Sequence, residues 1–565
     1  MKAWDVQEVI DAPIKDSDHK GAHPLVVRIL ERRGFKPEDV EPFLNPRYED
    51  VHDPFLFRNM QRVMDRIRDA KEKKERVYVY GDYDADGVTS STLMVETLRQ
   101  VGIEQVDVYI PHREKEGYGL NKDAIDYIAK EGATLIVTVD CGTSNVEEVA
   151  HAAEKGVDVI IIDHHEEPSK LPDAYTILNP HLSGETYPFK QLAACGVVFK
   201  TVQALWKTFD LPAGHEKWFL DLVAIATVAD MMPLVGENRV FVTFGLVVLN
   251  KSRRPGLQAL IESAEVDREL GVYEIGFVVG PRLNAAGRID HANNAFALLG
   301  YDSVGEARPY AEALNRTNIE RQSETERMLR EALPQAEAQK KEGKHVLWAR
   351  GDDWQPGVVG LVSGRITDRL FRPSLVVTDV EGKLTGSGRS IPSFNITEAL
   401  QQCSEYLERF GGHEGACGFT LKSVELFEPF VDAMNRIAEQ QLSDDDLTRK
   451  LTIDVQMPLE QVEWGLVRGI EALSPFGVGN PRPVFASMGV RVADVSLVGT
   501  DGKHMRIKFS VGDGFLTAIA FGFGEQWKDV LNPGDIVDIA YEVQTNVWQG
   551  RESMQLKLLD IKHTS

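Results

Sequence analysis

The apolar run Val77-Tyr78-Val79-Tyr80 leads without a polar break into Gly81-Asp82-Tyr83-Asp84-Ala85-Asp86-Gly87. Alternating β-branched and aromatic residues read as a buried strand, so three carboxylates on alternate residues stand where that strand leaves the core. Desolvating an ionised carboxylate costs several kcal/mol, and like charges at this spacing repel. The turn must therefore receive a cation or keep a proton. An EF-hand calcium loop opens with the same spacing, but it needs a glutamate at its twelfth position and a helix before it. Here the twelfth residue from Asp82 is Leu93, and the preceding run is β-type.

With 565 residues, 43% hydrophobic and 27% charged, the chain is too long for one core, and length alone suggests about three or four domains. The amino terminus lacks the basic-then-apolar layout of a signal peptide, and no apolar run approaches the ~20 residues of a membrane span. A cytoplasmic protein is expected. Cys141, Cys195, Cys403 and Cys417 form no C-x-x-C pair, which speaks against a disulfide framework or a zinc knuckle and for reduced, apolar cysteines. A net charge of -24 argues against a polyanionic substrate only as a surface average, since a local basic channel can coexist with an acidic exterior.

Apolar β-rich runs at 77–80, 106–110, 135–139, 157–162 and 175–178 alternate with helical patterns, the βαβ rhythm of a mostly parallel sheet. Ligands of such sheets gather outside the carboxyl ends of the strands. Helices are expected at 192–209 and 217–232, the second carrying Asp230 behind an apolar stretch. The charged stretch 305–343, with Pro309 and Pro334 near its ends, alternates in sign. Alternating charge commonly marks a solvated surface helix, but its length and place between two periodic regions point to a connecting helix. A second α/β domain follows over about 345–441, with strands at 346–349 and 373–378. Beyond Asp444-Asp445-Asp446, residues 451–561 hold short β runs parted by Gly and Asp turns, the pattern of a small β-barrel for which an OB type is a candidate.

Two more strand ends carry ligand-type residues: Asp140 closes 135–139, and Asp163-His164-His165 closes 157–162. One aspartate there is ordinarily the N-cap of the next helix, worth about 1 kcal/mol. Three strand ends at one sheet edge, joined by Asp230 from a helix, favour a shared metal site instead. Carboxylates with adjacent imidazoles suit two transition-metal ions roughly 3.5–4 Å apart. Imidazole favours Mn2+, whereas Mg2+ prefers oxygen and water, so Mn2+ is expected with Mg2+ tolerated.

On these residues the sequence resembles the DHH phosphoesterase superfamily, named for the triad present here as Asp163-His164-His165. The acidic heptad, Val139-Asp140-Cys141-Gly142, the triad and Ala229-Asp230 stand in the family's order, and Phe410-Gly411-Gly412-His413 is similar to an element of the associated DHHA1 domain. Together with Gly280-Pro281-Arg282-Leu283-Asn284-Ala285-Ala286-Gly287-Arg288, the long connection and the terminal barrel, the chain is similar within that superfamily to bacterial single-strand-specific 5′-to-3′ exonucleases. The resemblance covers nearly the whole chain. It implies an N-terminal segment 1–75 packing on the catalytic domain, a parallel-sheet DHH catalytic domain at 76–304, a connecting helix at 305–343, a smaller α/β DHHA1 domain at 344–443 and an OB-fold nucleic-acid-binding barrel at 448–565.

Carried over residue by residue, the resemblance implies catalysis and metal binding by Asp82, Asp84, Asp86, Asp140, His164, His165 and Asp230. Asp82 and His165 either touch an ion or orient a group that does. Two ions would activate water for in-line attack and stabilise the attacking and leaving oxygens, so no protein nucleophile is needed. Arginine holds a terminal phosphate through paired hydrogen bonds, and Arg113, Arg282, Arg288 and Arg389 are candidates. The resemblance assigns Arg113, Ser387 and Arg389 to a 5′-phosphate pocket and His413 to a contact facing the cleft. In the barrel, Lys503, His504, Arg506 and Lys508 on one run, with Trp548 and Arg551 in a late loop, suit a groove that tracks a backbone and stacks bases. Trp548 is the stacking candidate, while Phe521, Phe523 and Tyr541 fit either a stacking face or the barrel core.

The implied function is hydrolysis of single-stranded DNA from its 5′ end to 5′-mononucleotides in DNA repair and recombination, by a monomer working with a single-strand-binding protein and a RecQ-type helicase. Two alternatives stand beside it. A hydrolase of short oligoribonucleotides would not need the barrel or the long connection, and an inactive single-strand-binding scaffold has no reason to keep unpaired buried carboxylates.

Overall fold

The computed structural model describes residues 3–10, 22–113, 115–289, 292–499 and 501–564, without the side chains at 288 and 289. The five β-rich runs form one parallel sheet in the order Gln105–Tyr109, Arg76–Gly81, Ala133–Val139, Asp158–Ile162, Thr176–Leu178. Val77, Val79, Val137 and Ile160 enter one hydrophobic cluster and Tyr78, Tyr80, Ile136 and Ile161 another. Burial on both faces is what an all-parallel sheet requires. From the first strand the chain crosses to one side and then to the other, so the carboxyl ends of Arg76–Gly81 and Ala133–Val139 flank the switch point where such sheets bind ligands. Register then aligns the acids: Gly81 lies opposite Val139, Val139 opposite Ile162 and Ile162 opposite Leu178. Asp82, Asp140, Asp163 and Asn179 therefore leave the sheet at one level.

The helix expected at 192–209 spans Ala194–Thr208, and that at 217–232 becomes a short 3-10 turn, His215–Phe219, followed by Leu220–Ala229. Asp230 ends it, and Met231 turns the chain away with φ 57°. The connecting helix, Val304–Lys341, has 38 residues, about 57 Å at 1.5 Å per residue. Its charged character hides a buried stripe. Ala307, Ala311 and Leu314 join the catalytic core, while Met328, Leu329, Ala332 and Ala336 join a second one, which makes the helix a strut between two domains.

The second domain is a five-stranded sheet, Leu407–His413, Ala416–Leu421, Lys383–Arg389, Ser374–Val380, Leu347–Gly351, antiparallel except for its last pair. The C-terminal strands Phe485–Val498, His504–Val511, Gly514–Ala520, Arg551–His563 and Ile536–Trp548 close into a barrel through pairing of the first with the last. Gly514–Ala520 and Arg551–His563 run parallel, the arrangement of an OB fold.

One expectation needs correction. The segment 1–75 does not pack on the catalytic domain as a unit. Ala3–Val6 pairs with Lys450–Ile453, and Leu25, Val26, Ile29 and Leu30 of the helix Pro24–Arg32 share a cluster with Leu466, Val467, Ile470 and the barrel core. Only the later part, including Phe57, Met60, Val63 and Ile67, belongs to the catalytic core. The reason is the apolar stripe of Pro24–Arg32, which finds its complement on the barrel module.

Arg239 ties that module to the catalytic domain. Fully buried, with no carboxylate at hand, it donates from Nε to the Phe43 carbonyl at 2.7 Å, from Nη1 to Leu473 at 2.7 Å and from Nη2 to Ala472 at 3.0 Å. Nearby, Leu234 N donates to the Val478 carbonyl at 2.7 Å. Replacing Arg239 by Met keeps the bulk but strips the Phe43 and Ala472 carbonyls of their donor, while Leu473 keeps only its bond from Asn480 Nδ2 at 2.8 Å, at a cost of about 3 kcal/mol. Calorimetry of Arg239→Met should show the barrel module unfolding in a separate, earlier transition; an unchanged thermogram would refute this role.

Candidate metal centre

Local backbone structure sets the position of the acidic residues, and two of their side chains, Asp84 and Asp86, accept from backbone amides. Asp84 caps the helix Ala85–Gln100, its Oδ1 accepting from Gly87 N at 3.0 Å. Gly87 is needed there, because a Cβ would stand 2.5 Å from the Asp82 carbonyl oxygen. Asp86 accepts from Ala194 N and Cys195 N, both at 2.8 Å, at the positive end of the helix Ala194–Thr208. Asp140 adopts φ 62°, a left-handed conformation that aspartate tolerates better than most residues. His164 sets its Nδ1 3.2 Å from the Leu192 carbonyl, which places the proton there and leaves Nε2 as a ligand. That Nε2 lies 3.4 Å from Asp140, 3.7 Å from Asp230 and 4.0 Å from Asp86.

Ligand atoms of three overlapping groups come within 4.8 Å of one another: Asp140, His164 and His165; Asp86, His164 and Asp230; Asp82, Asp84 and Asp140. All seven residues expected to hold metal are thus brought together, and the mixed carboxylate and imidazole donor set fits transition-metal cations. A cation also answers an otherwise costly feature, since the buried Asp82 Oδ1 has no hydrogen-bond partner among the described residues. Burial first, then the neighbouring carboxylates, pushes Asp82 and Asp140 well above the usual carboxylate range, and lifts Asp86 to about 7 and Asp230 to about 8. Burial lowers His164 to about 4, keeping its ring neutral.

Asp163, the first letter of the triad, does something else. Its oxygens accept from Thr143 N at 3.0 Å, His164 N at 2.8 Å and His165 Nδ1 at 2.7 Å. Burial opposes its charge, but these bonds and both imidazoles hold it far below the usual carboxylate range. Burial likewise works against a charged His165, yet Asp163 lifts that ring to about 9. Tyr118 adds a contact that its sequence position does not advertise, its hydroxyl donating to the Asp140 carbonyl at 3.2 Å.

The motif Gly280–Ile289 forms a helix packed against the segments that carry the acidic residues. Gly280 abuts Ala229, Asn284 Oδ1 accepts from Ala85 N at 2.7 Å, and a Cβ at Gly287 would stand 2.5 Å from the Tyr83 carbonyl oxygen. The Gly-x-x-x-Asn-x-x-Gly spacing was the available signal for Asn284, since it puts all three residues on one helix face.

Of the residues expected to bind substrate, Arg113 sits with its guanidinium 5.0 Å from the Tyr83 ring centroid and lies close enough to act electrostatically on both Asp82 and Arg389. Arg389 donates to Ser387 Oγ at 3.2 Å, and the first turn of the helix Val359–Leu370 rests on this pair at Gly360. Burial, partly opposed by Cys417, lowers the Arg389 pKa. Arg282 donates to Asn315 Oδ1 and the Val278 carbonyl, and acts with Arg365 on Arg321 of the connecting helix. Two donors there, Arg321 Nε and Asn318 Nδ2, are buried without a partner among the described residues. Arg321 gave no sequence signal, since alternating charge reads as a solvated face, and Arg365, on the helix Val359–Leu370, is ion-paired with Glu326 of the connecting helix. The side chain of Arg288 lies outside the described residues. His413 is exposed, its Nδ1 accepting from Gly415 N at 3.2 Å. Trp548, 70% exposed, lines a barrel groove of about 820 Å³ with Arg506, Thr517, Asn546 and Arg551. Lys503 and Lys508 are paired with Asp501 and Asp494. Tyr541 is core, Phe523 packs against that core, and Phe521 is exposed.

Family models match the chain at residues 76–227 (DHH family, N-terminal domain), 343–440 (DHHA1 domain) and 453–560 (RecJ OB domain). The single-stranded-DNA-specific exonuclease RecJ of Bacillus subtilis is 37% identical over 99% of this chain and 70% of its own length. That of Escherichia coli is 34% identical over 88% of this chain and 89% of its own. The crystal structure of RecJ in complex with Mn2+ from Thermus thermophilus superposes with a TM-score of 0.84 at 28% identity, over 99% of this chain and 80% of that one.

Two outcomes follow from the geometry. Asp86 and Asp230, at about 7 and 8 without a cation, are raised above their unfolded value of roughly 4. A raised carboxyl contributes stability that is complete below the unfolded pKa and lost as pH rises through the folded one. The gap in melting temperature between Mn2+-loaded and EDTA-treated protein should therefore widen from about pH 5 to 8; a gap that narrows would contradict the site. Asp163→Asn should drop the His165 pKa from about 9 toward the ordinary value near 6.5 or lower, as read by NMR titration, and weaken Mn2+ binding by about 10- to 100-fold.

Proposed function

The chain belongs to the RecJ family of single-stranded-DNA-specific exonucleases, and from that premise we infer a metal-dependent nuclease that hydrolyses single-stranded DNA from its 5′ end to 5′-mononucleotides in DNA repair and recombination. The observation that carries this reading is the convergence of Asp82, Asp84, Asp86, Asp140, Asp230 and two histidines at one sheet edge, beside an arginine pair, Arg113 and Arg389, that no carboxylate among the described residues neutralises at hydrogen-bond range.

Asp82, Asp84, Asp86, Asp140, His164, His165 and Asp230 would hold Mn2+ or Mg2+, which would supply Lewis-acid chemistry toward the phosphodiester and an activated water. The chain's own residues do the rest. Leu192 fixes the His164 tautomer through Nδ1, and Asp163 orients His165. Arg113 and Arg389 with Ser387 offer paired donors to a terminal 5′-phosphate, setting which phosphodiester meets the acidic cluster. Arg282 and Arg321, with the donors of Arg321 and Asn318 that lack a partner among the described residues, give the cleft a second anion-seeking stretch, while Arg365 is ion-paired with Glu326. These clusters supply the local positive field that a net charge of -24 conceals. In the barrel, Trp548 with Arg506 and Arg551 suits stacked bases and their backbone.

Such an enzyme needs its strand already opened. A RecQ-type helicase and a single-strand-binding protein are the inferred partners of a monomeric, cytoplasmic protein, and its four buried free cysteines fit a reducing compartment. No described helix is long and apolar enough to cross a membrane.

End-labelled single-stranded DNA, duplex DNA, RNA and dinucleotides incubated with Mn2+ test the reading. Mononucleotides should leave the 5′ end of single-stranded DNA, and Asp140→Ala should slow this by about 100-fold or more. Comparable turnover of RNA and dinucleotides would favour an oligoribonuclease, and binding without cleavage a scaffold. Arg389→Ala should cut kcat/KM for 5′-phosphorylated strands by about 10- to 100-fold and affect 5′-hydroxyl strands far less; equal losses on both would remove Arg389 from the end pocket.

A further inference from the structure

Two aromatic rings stand in solvent just ahead of the helix Gly280–Ile289, which packs beside the acidic cluster. Tyr273 and Phe277 are 58% and 66% exposed and stack on each other, with centroids 4.7 Å apart and planes inclined at 26°. They lie on or beside the segment Ile275–Val279, which is wound as a π-helix. This rare widening recurs at functional sites. Contiguous exposed apolar surface likewise marks a place where something binds.

The position of the pair names the occupant. Gly276 comes against Val228, and Gly280 abuts Ala229, the residue before Asp230. On the far side of Asp230, Met231 is 68% exposed. Val272 packs near Gly477, and the next residue, Val478, is 42% exposed while its carbonyl accepts from Leu234 N. The segment that bears the two rings is thus packed at one end against the helix that ends at Asp230 and at the other near Gly477, on the stretch that leads into the barrel. A cation accompanies them: Arg268 sits 5.7 Å from the Tyr273 centroid, held by Glu274 at 2.7 Å, with its side chain 63% exposed.

We propose that Tyr273 and Phe277 form a stacking platform for unpaired bases of the substrate strand between the acidic cluster and the barrel, with Arg268 beside the backbone. The proposal rests on the single-strand nuclease reading. Every base has a π face, so the contact tolerates any sequence. In a duplex those faces are already stacked on neighbours, so the platform also favours single strands.

The test uses the full chain with Mn2+ and 5′-phosphorylated 20-mers that carry a phosphorothioate at the first linkage and 2-aminopurine at one position at a time. Wild-type protein should quench the fluorophore at one or two positions downstream of the first linkage, and Tyr273→Ala with Phe277→Ala should abolish that quench. On cleavable substrates the double variant should lose about 10-fold more kcat/KM on a 20-mer than on a trinucleotide. The exchange Tyr273→Phe with Phe277→Tyr keeps both rings and should restore quench and rate, which separates stacking from misfolding. An unchanged quench and an unchanged ratio of long to short substrate in the alanine variant would overturn the platform and leave the patch to a protein partner. Wild-type protein that binds the strand without cutting it would sink the nuclease reading, while the quench would still decide for or against the platform.

Discussion

Three carboxylates, Asp86, Asp140 and Asp230, crowd within 4.0 Å of one imidazole nitrogen, His164 Nε2. Two unit charges 4 Å apart repel by roughly 4 kcal/mol in a medium of effective dielectric 20, so several such pairs cannot all be ionised without a counter-charge. The surrounding structure is arranged to hold that crowding in place. Strand register brings Asp82, Asp140 and Asp163 to one level, a helix amino terminus receives Asp86, and a backbone carbonyl fixes His164. Asp163 shows the complementary case, a buried carboxylate kept charged because its hydrogen bonds are supplied within the protein.

Around this centre the long elements act as spacers. The helix Gly280–Ile289 touches the Asp82–Asp84 turn, the start of Ala85–Gln100 and the end of Leu220–Ala229, joining three segments that deliver ligands. The strut Val304–Lys341 buries its two ends in different cores and leaves Asn318 and Arg321 between them. Arg239 fixes the barrel module to the same catalytic domain. Substrate-sized distances are thereby set by packed helices, the rigid mounting that functional geometry demands.

Much of this was legible in the sequence because its periodicities are strong. Five apolar runs gave the sheet, and carboxylates at three strand ends gave the metal centre, because in a parallel sheet consecutive carboxyl termini share an edge. What stayed hidden depends on long-range contacts. Asp163 looked like its neighbours, and only the surrounding amides show it to be an orienting group. Arg321 was concealed by a helix whose charge pattern suggested solvent. The helix Pro24–Arg32 has a clear apolar face, yet no local pattern says that the complement is a barrel more than 400 residues away. Tyr273 and Phe277 carry no sequence signal, and only their exposure singles them out.

The central claim is that the acidic cluster exists to be neutralised by cations shared among overlapping ligand groups. Isothermal titration of Mn2+ into metal-free protein tests it most directly. The account predicts two ions per chain, with loss of both sites or a collapse in their affinity in His164→Ala, because that ring belongs to two of the three groups. A chain that binds no Mn2+, or a His164→Ala variant that still binds two ions with undiminished affinity, would contradict it.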